Sequence, residues 1–338
     1  MNDLIFCTLF DSNYLDKGIA LYNSMLRVMD SFKLYIFAFD EKSEEILRRK
    51  QFKNVYVIGL KEFETPELLA VKAERTRAEY CWTCSSWTIR YVLEKFKEHI
   101  CTYIDADMKF FSNPQVVFDE MRANGNSIIV VPHRYATKEE ERKAYNTVGV
   151  YCVEFNTFVN DENGRTALKW WSDSCLKWCS YAVPGTTEWY GDQKYLNVFP
   201  EKFKGVTVCN HFGVGLAPWN IHLVEYYKID EDGVPVITIK SSSEHCRVVL
   251  YHFENVGFIT PHILHASSRT KSKKLFECIY KDYINEIIAI RNQIETEFSF
   301  KMSRERRVVS KNWFMKLYQK YISPFRRVKK LSDLFWVK

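Results

Sequence analysis

The stretch from Cys101 to Pro114 constrains this chain more than any other. It begins with a short apolar run rich in β-branched and aromatic residues, Cys101 to Ile104, of the kind that forms a buried strand. Asp105 and Asp107 follow directly, with the small Ala106 between them. Residues two apart on an extended chain project to the same side, so both carboxylates can face one point. In an open α/β sheet, ligands bind at the carboxyl ends of the strands. Two oxygen ligands there suit a hard divalent cation that also holds phosphates. The plainer alternative is a strand-end turn carrying two solvated aspartates.

The flanking sequence has a strand-helix rhythm. Leu4–Phe10 reads as a strand, Asp11-Ser12-Asn13-Tyr14 as a turn, and Lys17 to Met29 as a helix with Leu21, Met25 and Met29 on one face. Lys33–Phe39 is a second strand, Asp40 an N-cap for a charged helix to Lys50, and Val55–Ile58 a third strand. Lys72 to Tyr80 alternates charged and small residues, as a solvated helix face does. The helix Ser85–Phe96 then leads into the Cys101 strand. Further on come a helix opened by Asn113-Pro114, a strand Ser127–Val131 and an apolar run Val150–Phe155. A helix Asn163–Tyr181 carries Trp170, Trp171 and Trp178, read as core, and a break follows at Pro184-Gly185. The last strand, Val248–His252, ends in His252-Phe253. From Lys273 the apolar residues step at helical spacing through Phe298, and again from Trp313 to Ile322. These signals predict an α/β fold: a mixed, mostly parallel sheet flanked by helices over residues 1–265, with a helical C-terminal extension over 266–338.

Composition narrows the class. Of 338 residues, 46% are hydrophobic and 16% aromatic, which excludes a disordered chain. No stretch approaches the ~20 apolar residues of a membrane span, and Met1 to Phe10 lacks the marks of a signal peptide. Ten scattered cysteines, several inside apolar runs, fit buried thiols in a reducing cytoplasm. Cys81-x-x-Cys84 has no second pair to complete a four-cysteine zinc site. The net charge of +6 is uneven: residues 301–338 hold 12 Lys/Arg against 2 Asp/Glu, whereas residues 1–300 hold 36 against 40. In that tail Trp313, Phe314, Phe335 and Trp336 are interleaved with basic residues. The pattern suits attachment to an anionic membrane surface, or else a solvated basic appendage. Nucleic acid is disfavoured as a partner, because no recognised binding module accompanies the charge.

Four pieces together resemble glycosyltransferase family 8, the glycogenin and bacterial lipopolysaccharide galactosyltransferase group, and related bacterial surface-polysaccharide transferases. They are Cys7-Thr8-Leu9-Phe10-Asp11-Ser12-Asn13-Tyr14 continuing to Lys17-Gly18, Tyr103-Ile104-Asp105-Ala106-Asp107, Gly191-Asp192-Gln193-Lys194-Tyr195-Leu196-Asn197, and Tyr251-His252-Phe253. The resemblance covers roughly residues 3–260. Two features depart from the family: no Lys-Pro-Trp follows His252, and Asn146-Thr147-Val148-Gly149 is one residue longer than the family's Asn-x-Gly.

The resemblance implies a GT-A fold and transfer of a sugar, with retention, from a nucleotide diphosphate donor such as a UDP-sugar. The acceptor would be a saccharide or lipid-linked saccharide, and the enzyme would be cytoplasmic, peripheral on the inner face of the membrane. It implies Mn²⁺ or Mg²⁺ held by Asp105, Asp107 and His252; without the resemblance, His252 reads rather as a satisfied core histidine at a strand end. It places Thr8, Leu9 and Tyr14 by the base, Asp105, Ala106 and Asp107 by the donor, and one of Arg75 and Arg77 on the diphosphate, the other pairing with Glu74 or Glu79. Asp192 and Gln193 would face the donor sugar as the catalytic pair, and Trp219 and Asn220 the acceptor. Two other classes stay open. A sugar-phosphate nucleotidyltransferase would need a glycine-rich loop after the first strand, where this chain has no glycine before Gly18. A non-catalytic sugar-binding or membrane adaptor would have no need of Asp105, Asp107, Asp192 and His252 together.

Overall fold

The structure is a computed structural model that describes residues 4–181, 189–260, 263–266, 270, 272–302 and 334–336. The expected break at Pro184-Gly185 and the tail helix from Trp313 to Ile322 lie outside them.

A seven-stranded sheet forms the centre. Its strands are β1 (Leu4–Phe10), β2 (Phe32–Ala38), β3 (Val55–Gly59), β4 (Ile100–Ile104), β6 (Ile128–Pro132), β7 (Tyr151–Val159) and β8 (Val206–Val208), in the order β3-β2-β1-β4-β7-β6-β8. Only β7 runs against its neighbours; the β1–β2, β2–β3, β1–β4 and β6–β8 pairs are parallel. β1 and β4 are buried along their whole length, which is why they read as unbroken apolar runs. Phe6 meets Phe110, Phe118 and Phe155 edge-on beneath the sheet.

Helices α1 (Leu15–Val28), α2 (Glu41–Lys50), the short α3 (Leu60–Phe63) and α4 (Pro66–Lys72), α5 (Arg77–Lys95), α6 (Gln115–Ala123), α7 (Lys138–Asn146) and α8 (Glu162–Lys177) occupy the connections. α5 begins eight residues before the expected Ser85. Thr76 and Glu79 form a reciprocal capping box at its start, which places Arg75 outside the helix and Arg77 in its first turn. Trp171 is fully buried, and its Nε1–H donates to the Asp192 carbonyl at 2.9 Å, in keeping with a core role.

A short hairpin-like pairing sets the site. β5 (Met108–Phe110) pairs antiparallel with Leu250–His252, placing His252 opposite Met108. The Phe253 N–H donates to the Asp107 carbonyl at 2.8 Å, so the last strand of the core is stitched to the residue after Ala106. Beyond it, Asp282–Phe298 forms the last long helix described, lying across α1. Arg291 pairs with Asp16 and Arg27 with Glu286, both at 3.1 Å, and Tyr283 stacks on Phe253 with ring centroids 3.7 Å apart. Leu334–Trp336 forms a strand antiparallel to Ile263–His265. No described helix is long and apolar enough to cross a membrane. Among the described residues Cys81 and Cys84 join no metal-ligating cluster; burial pushes both thiols up.

Candidate active site

Asp105, Asp107 and His252 converge at the end of β4. Their ligand atoms all lie within 4.8 Å of one another. His252 Nε2 is 3.2 Å from Asp107 Oδ1 and 3.8 Å from Asp105 Oδ2. Burial pushes the Asp105 carboxyl up to about 7, with His252 opposing and the Asp107 charge adding to it. Burial acts on Asp107 in the same sense, but the His252 ring overrides it and holds that carboxyl well below the usual range. Two carboxylates and an imidazole packed this closely form a set that a divalent cation would neutralise. Two carboxylate oxygens and one imidazole nitrogen make a mixed O/N donor set that fits a divalent cation.

Glu154 was not singled out in the sequence. It is wholly buried on β7, and its Oε2 accepts from His252 Nδ1–H at 2.8 Å. That bond fixes the ring so that Nε2 faces the two aspartates. Gly215, with φ +77°, allows this approach: a Cβ there would stand 2.7 Å from Glu154 Oε1. A lone acidic residue inside the apolar run Val150–Phe155 was the available signal, because a buried carboxylate needs a partner. Tyr103 supports the other side, its hydroxyl donating to Asp105 Oδ1 at 2.8 Å.

The donor-side residues gather at the end of β1. Thr8 and Leu9 are buried, and the Thr8 hydroxyl has no partner among the described residues. Tyr14 lies under the Lys17 ammonium, 4.1 Å from ring centroid to nitrogen, and Lys17 helps hold the Asp107 carboxyl down. Arg77 reaches this cluster. Its guanidinium is 2.6 Å from Asp11 and 3.3 Å from Asp40, and it stays more than half exposed. Asp11 is a second residue the sequence did not assign, raised by burial against the pull of Arg77. Arg75 is elsewhere. It donates to the Leu176 carbonyl at 2.6 Å and to the Thr83 hydroxyl, tying α5 to the end of α8, and it pairs with neither Glu74 nor Glu79. The expectation that these two arginines divide between phosphate and a local glutamate is corrected on that point.

Asp192 lies near enough to the cluster for its charge to act on Asp105. Burial pushes its carboxyl up to about 7, and Ser85 Oγ donates to it at 2.6 Å. Its charge is felt by both Asp105 and Tyr103, which marks it as a neighbour of the cluster. The Gln193 amide donates to the Val148 carbonyl at 2.7 Å, holding the turn before β7. Ala106 is buried between the two ligands. Trp219 packs edge-on against His252 and against His133, 5.4 Å between centroids in each case, and its buried Nε1 has no partner among the described residues. Asn220 is different from the acceptor-side residue expected. It accepts from Ala217 N–H at 2.9 Å and donates to the His133 and Gly215 carbonyls at 3.0 and 2.7 Å, all fully buried. Its amide is spent on the loop.

No protein-family model matches the chain. The uncharacterized protein YfnD of Bacillus subtilis (strain 168) is 28% identical over 302 residues, covering 88% of this chain and 93% of that protein. YfnF of the same organism is 27% identical over 309 residues, covering 87% and 96%. Among solved structures, the galactosyltransferase LgtC in complex with donor and acceptor sugar analogs superposes with a TM-score of 0.52 at 11% identity, over 85% of this chain and 96% of that one. An active-site mutant of LgtC gives 0.51 at 11% identity, over 83% and 95%. The chain has the GT-A fold.

Proposed function

We propose that this protein is a divalent-cation-dependent glycosyltransferase that moves a sugar from a nucleotide diphosphate donor, UDP-sugar foremost, to a saccharide or lipid-linked saccharide acceptor. The observation that carries the reading is the meeting of Asp105, Asp107 and His252 at the ligand-binding edge of a GT-A sheet. Held by Asp105, Asp107 and His252, Mn²⁺ or Mg²⁺ would supply Lewis-acid stabilisation of the negative charge on the departing diphosphate. Asp105 and Asp107 hold opposite protonation tendencies a few ångströms apart, and Glu154 keeps the imidazole in the orientation a cation needs. Arg77, exposed and shared between Asp11 and Asp40, is free to exchange one carboxylate for a phosphate oxygen. Asp192, buried beside the cluster, would hydrogen-bond the donor sugar or steady positive charge at its reacting carbon.

The resemblance to surface-polysaccharide transferases supports a role in building a bacterial surface glycan. The basic, aromatic tail supports work at the cytoplasmic membrane face. The nucleotidyltransferase alternative gains nothing, because β1 passes into the helical turn Ser12–Tyr14 and α1 without a phosphate-cradling glycine loop. The test is a thermal-shift screen of nucleotide sugars with and without Mn²⁺, followed by calorimetry. A UDP-sugar should stabilise the protein only when Mn²⁺ is present. Equal stabilisation without metal, or none by any nucleotide sugar, would overturn the reading.

A further inference from the structure

Beside the cation site lies a separate cavity of about 650 Å³, at the carboxyl ends of β6 and β8. Both strands run opposite to β7, as β4 does, so all three end on the same edge of the sheet. A run of rings joins the two places. Trp219 touches His252 on one side and His133 on the other, and His133 lies 5.8 Å from Tyr135, which lines the cavity. The turn at 148–150 is a common wall: Gln193 holds the Val148 carbonyl, Tyr135 donates its hydroxyl proton to the Gly149 carbonyl, and Val150 faces the cavity.

We propose that this cavity binds the inner units of a neutral saccharide chain whose terminal unit is the acceptor. The proposal rests on the transferase reading and supplies its acceptor class. Tyr135, Tyr151 and Phe212 offer rings on which the C–H face of a sugar can pack. Glu141 supplies an acceptor, and Lys240 and Ser241 supply donors. Sugar hydroxyls both give and take hydrogen bonds, and so match a lining of mixed polarity around aromatic rings. The charges of Glu141 and Lys240 offset each other in this lining, so it favours neither an anionic nor a cationic ligand. The one guanidinium in the lining, Arg134, is turned inward. It donates to the carbonyls of Val214, His211 and Cys209 and offers no open fork to a phosphate or uronate. Because two aromatic rings separate the cavity from His252, its occupant is a chain rather than a single sugar.

The test applies the fluorescently labelled full chain, with and without UDP and Mn²⁺, to an array of immobilised neutral and uronate-bearing oligosaccharides. It compares wild type with Tyr151→Ala and Ser241→Trp. Ser241 is exposed at the cavity, so the tryptophan blocks it without disturbing the core. Wild type should retain neutral oligosaccharides of two or more units. Both variants should lose that binding by about tenfold or more, with UDP–Mn²⁺ affinity unchanged. Undiminished binding by Ser241→Trp, preference for uronates, or no retention of any neutral oligosaccharide would each overturn the proposal. Failure of UDP–Mn²⁺ to bind wild type would instead strike the transferase reading, and the array without nucleotide would still decide the cavity.

Discussion

At the end of β4 three titratable side chains meet with their charges coupled, whereas at Asn220, on the loop 213–220, every side-chain polar group is bonded to backbone. Asp105, Asp107 and His252 crowd together with their charges unresolved. Asn220, a few ångströms beyond Trp219, has its amide oxygen and both N–H groups committed to backbone partners. Both regions carry residues that suit ligand binding; Asn220 is bonded out by backbone, whereas the cluster concentrates charge that a cation would take up. Residue type nominates a site; unspent hydrogen-bonding and charge capacity distinguishes a site from the scaffold around it.

The sharpest way to break this contrast is Asp107→Ala. Mn²⁺-dependent nucleotide binding should fall by at least about 100-fold in calorimetry while the circular dichroism spectrum is kept, as loss of a direct ligand exceeds the cost of losing a supporting one. Undiminished binding would remove β4 from the site. Asn220→Ala should show the reverse pattern. Leaving buried groups without partners should cost about 2–4 kcal/mol of stability in urea unfolding, while the surviving folded protein keeps its Mn²⁺ affinity. A large loss of metal affinity with stability intact would merge the two regions. Glu154→Gln should weaken Mn²⁺ binding by about tenfold, since the amide still occupies the space but no longer sets the imidazole as a carboxylate does.

The smallest effect is a dependence on pH. Burial raises Asp105 and Asp192 to about 7, so between roughly pH 4 and 7 the folded protein keeps protons that an unfolded chain has released. Their contribution to stability is therefore fully present below about pH 4 and lost as pH rises through 7. Melting temperature of the metal-free protein should fall between pH 5 and 8, and Asp192→Asn should flatten that fall by a few degrees. Mn²⁺ affinity should move the other way, rising over the same window as Asp105 loses its proton. A melting curve in Asp192→Asn with the wild-type slope would show that Asp192 does not sit in the strained environment described.

How much of this was readable from the sequence depends on how local the cause is. The strand-end aspartates depend on an apolar run and a two-residue spacing, both visible within seven residues. The fate of the two arginines depended on a four-residue signal, Thr76-x-x-Glu79, which starts the helix between them and sends Arg77 toward Asp11 and Arg75 toward Leu176. Asn220 could not be read, because the His133 carbonyl that occupies it is 87 positions away. Glu154 was half legible: its awkwardness inside a strand showed, its partner 98 positions on did not.

The helix Asp282–Phe298 has a consequence for the order in which the molecule is made. It is synthesised well over two hundred residues after α1, yet it covers that helix, which carries Lys17 and follows Tyr14. During translation α1 therefore waits with its outer face bare until the segment from Asp282 has emerged. For that interval the nascent protein presents an unfinished surface to whatever chaperone is at hand. A premature stop ahead of Asp282 would release a chain in which α1 is still missing its cover.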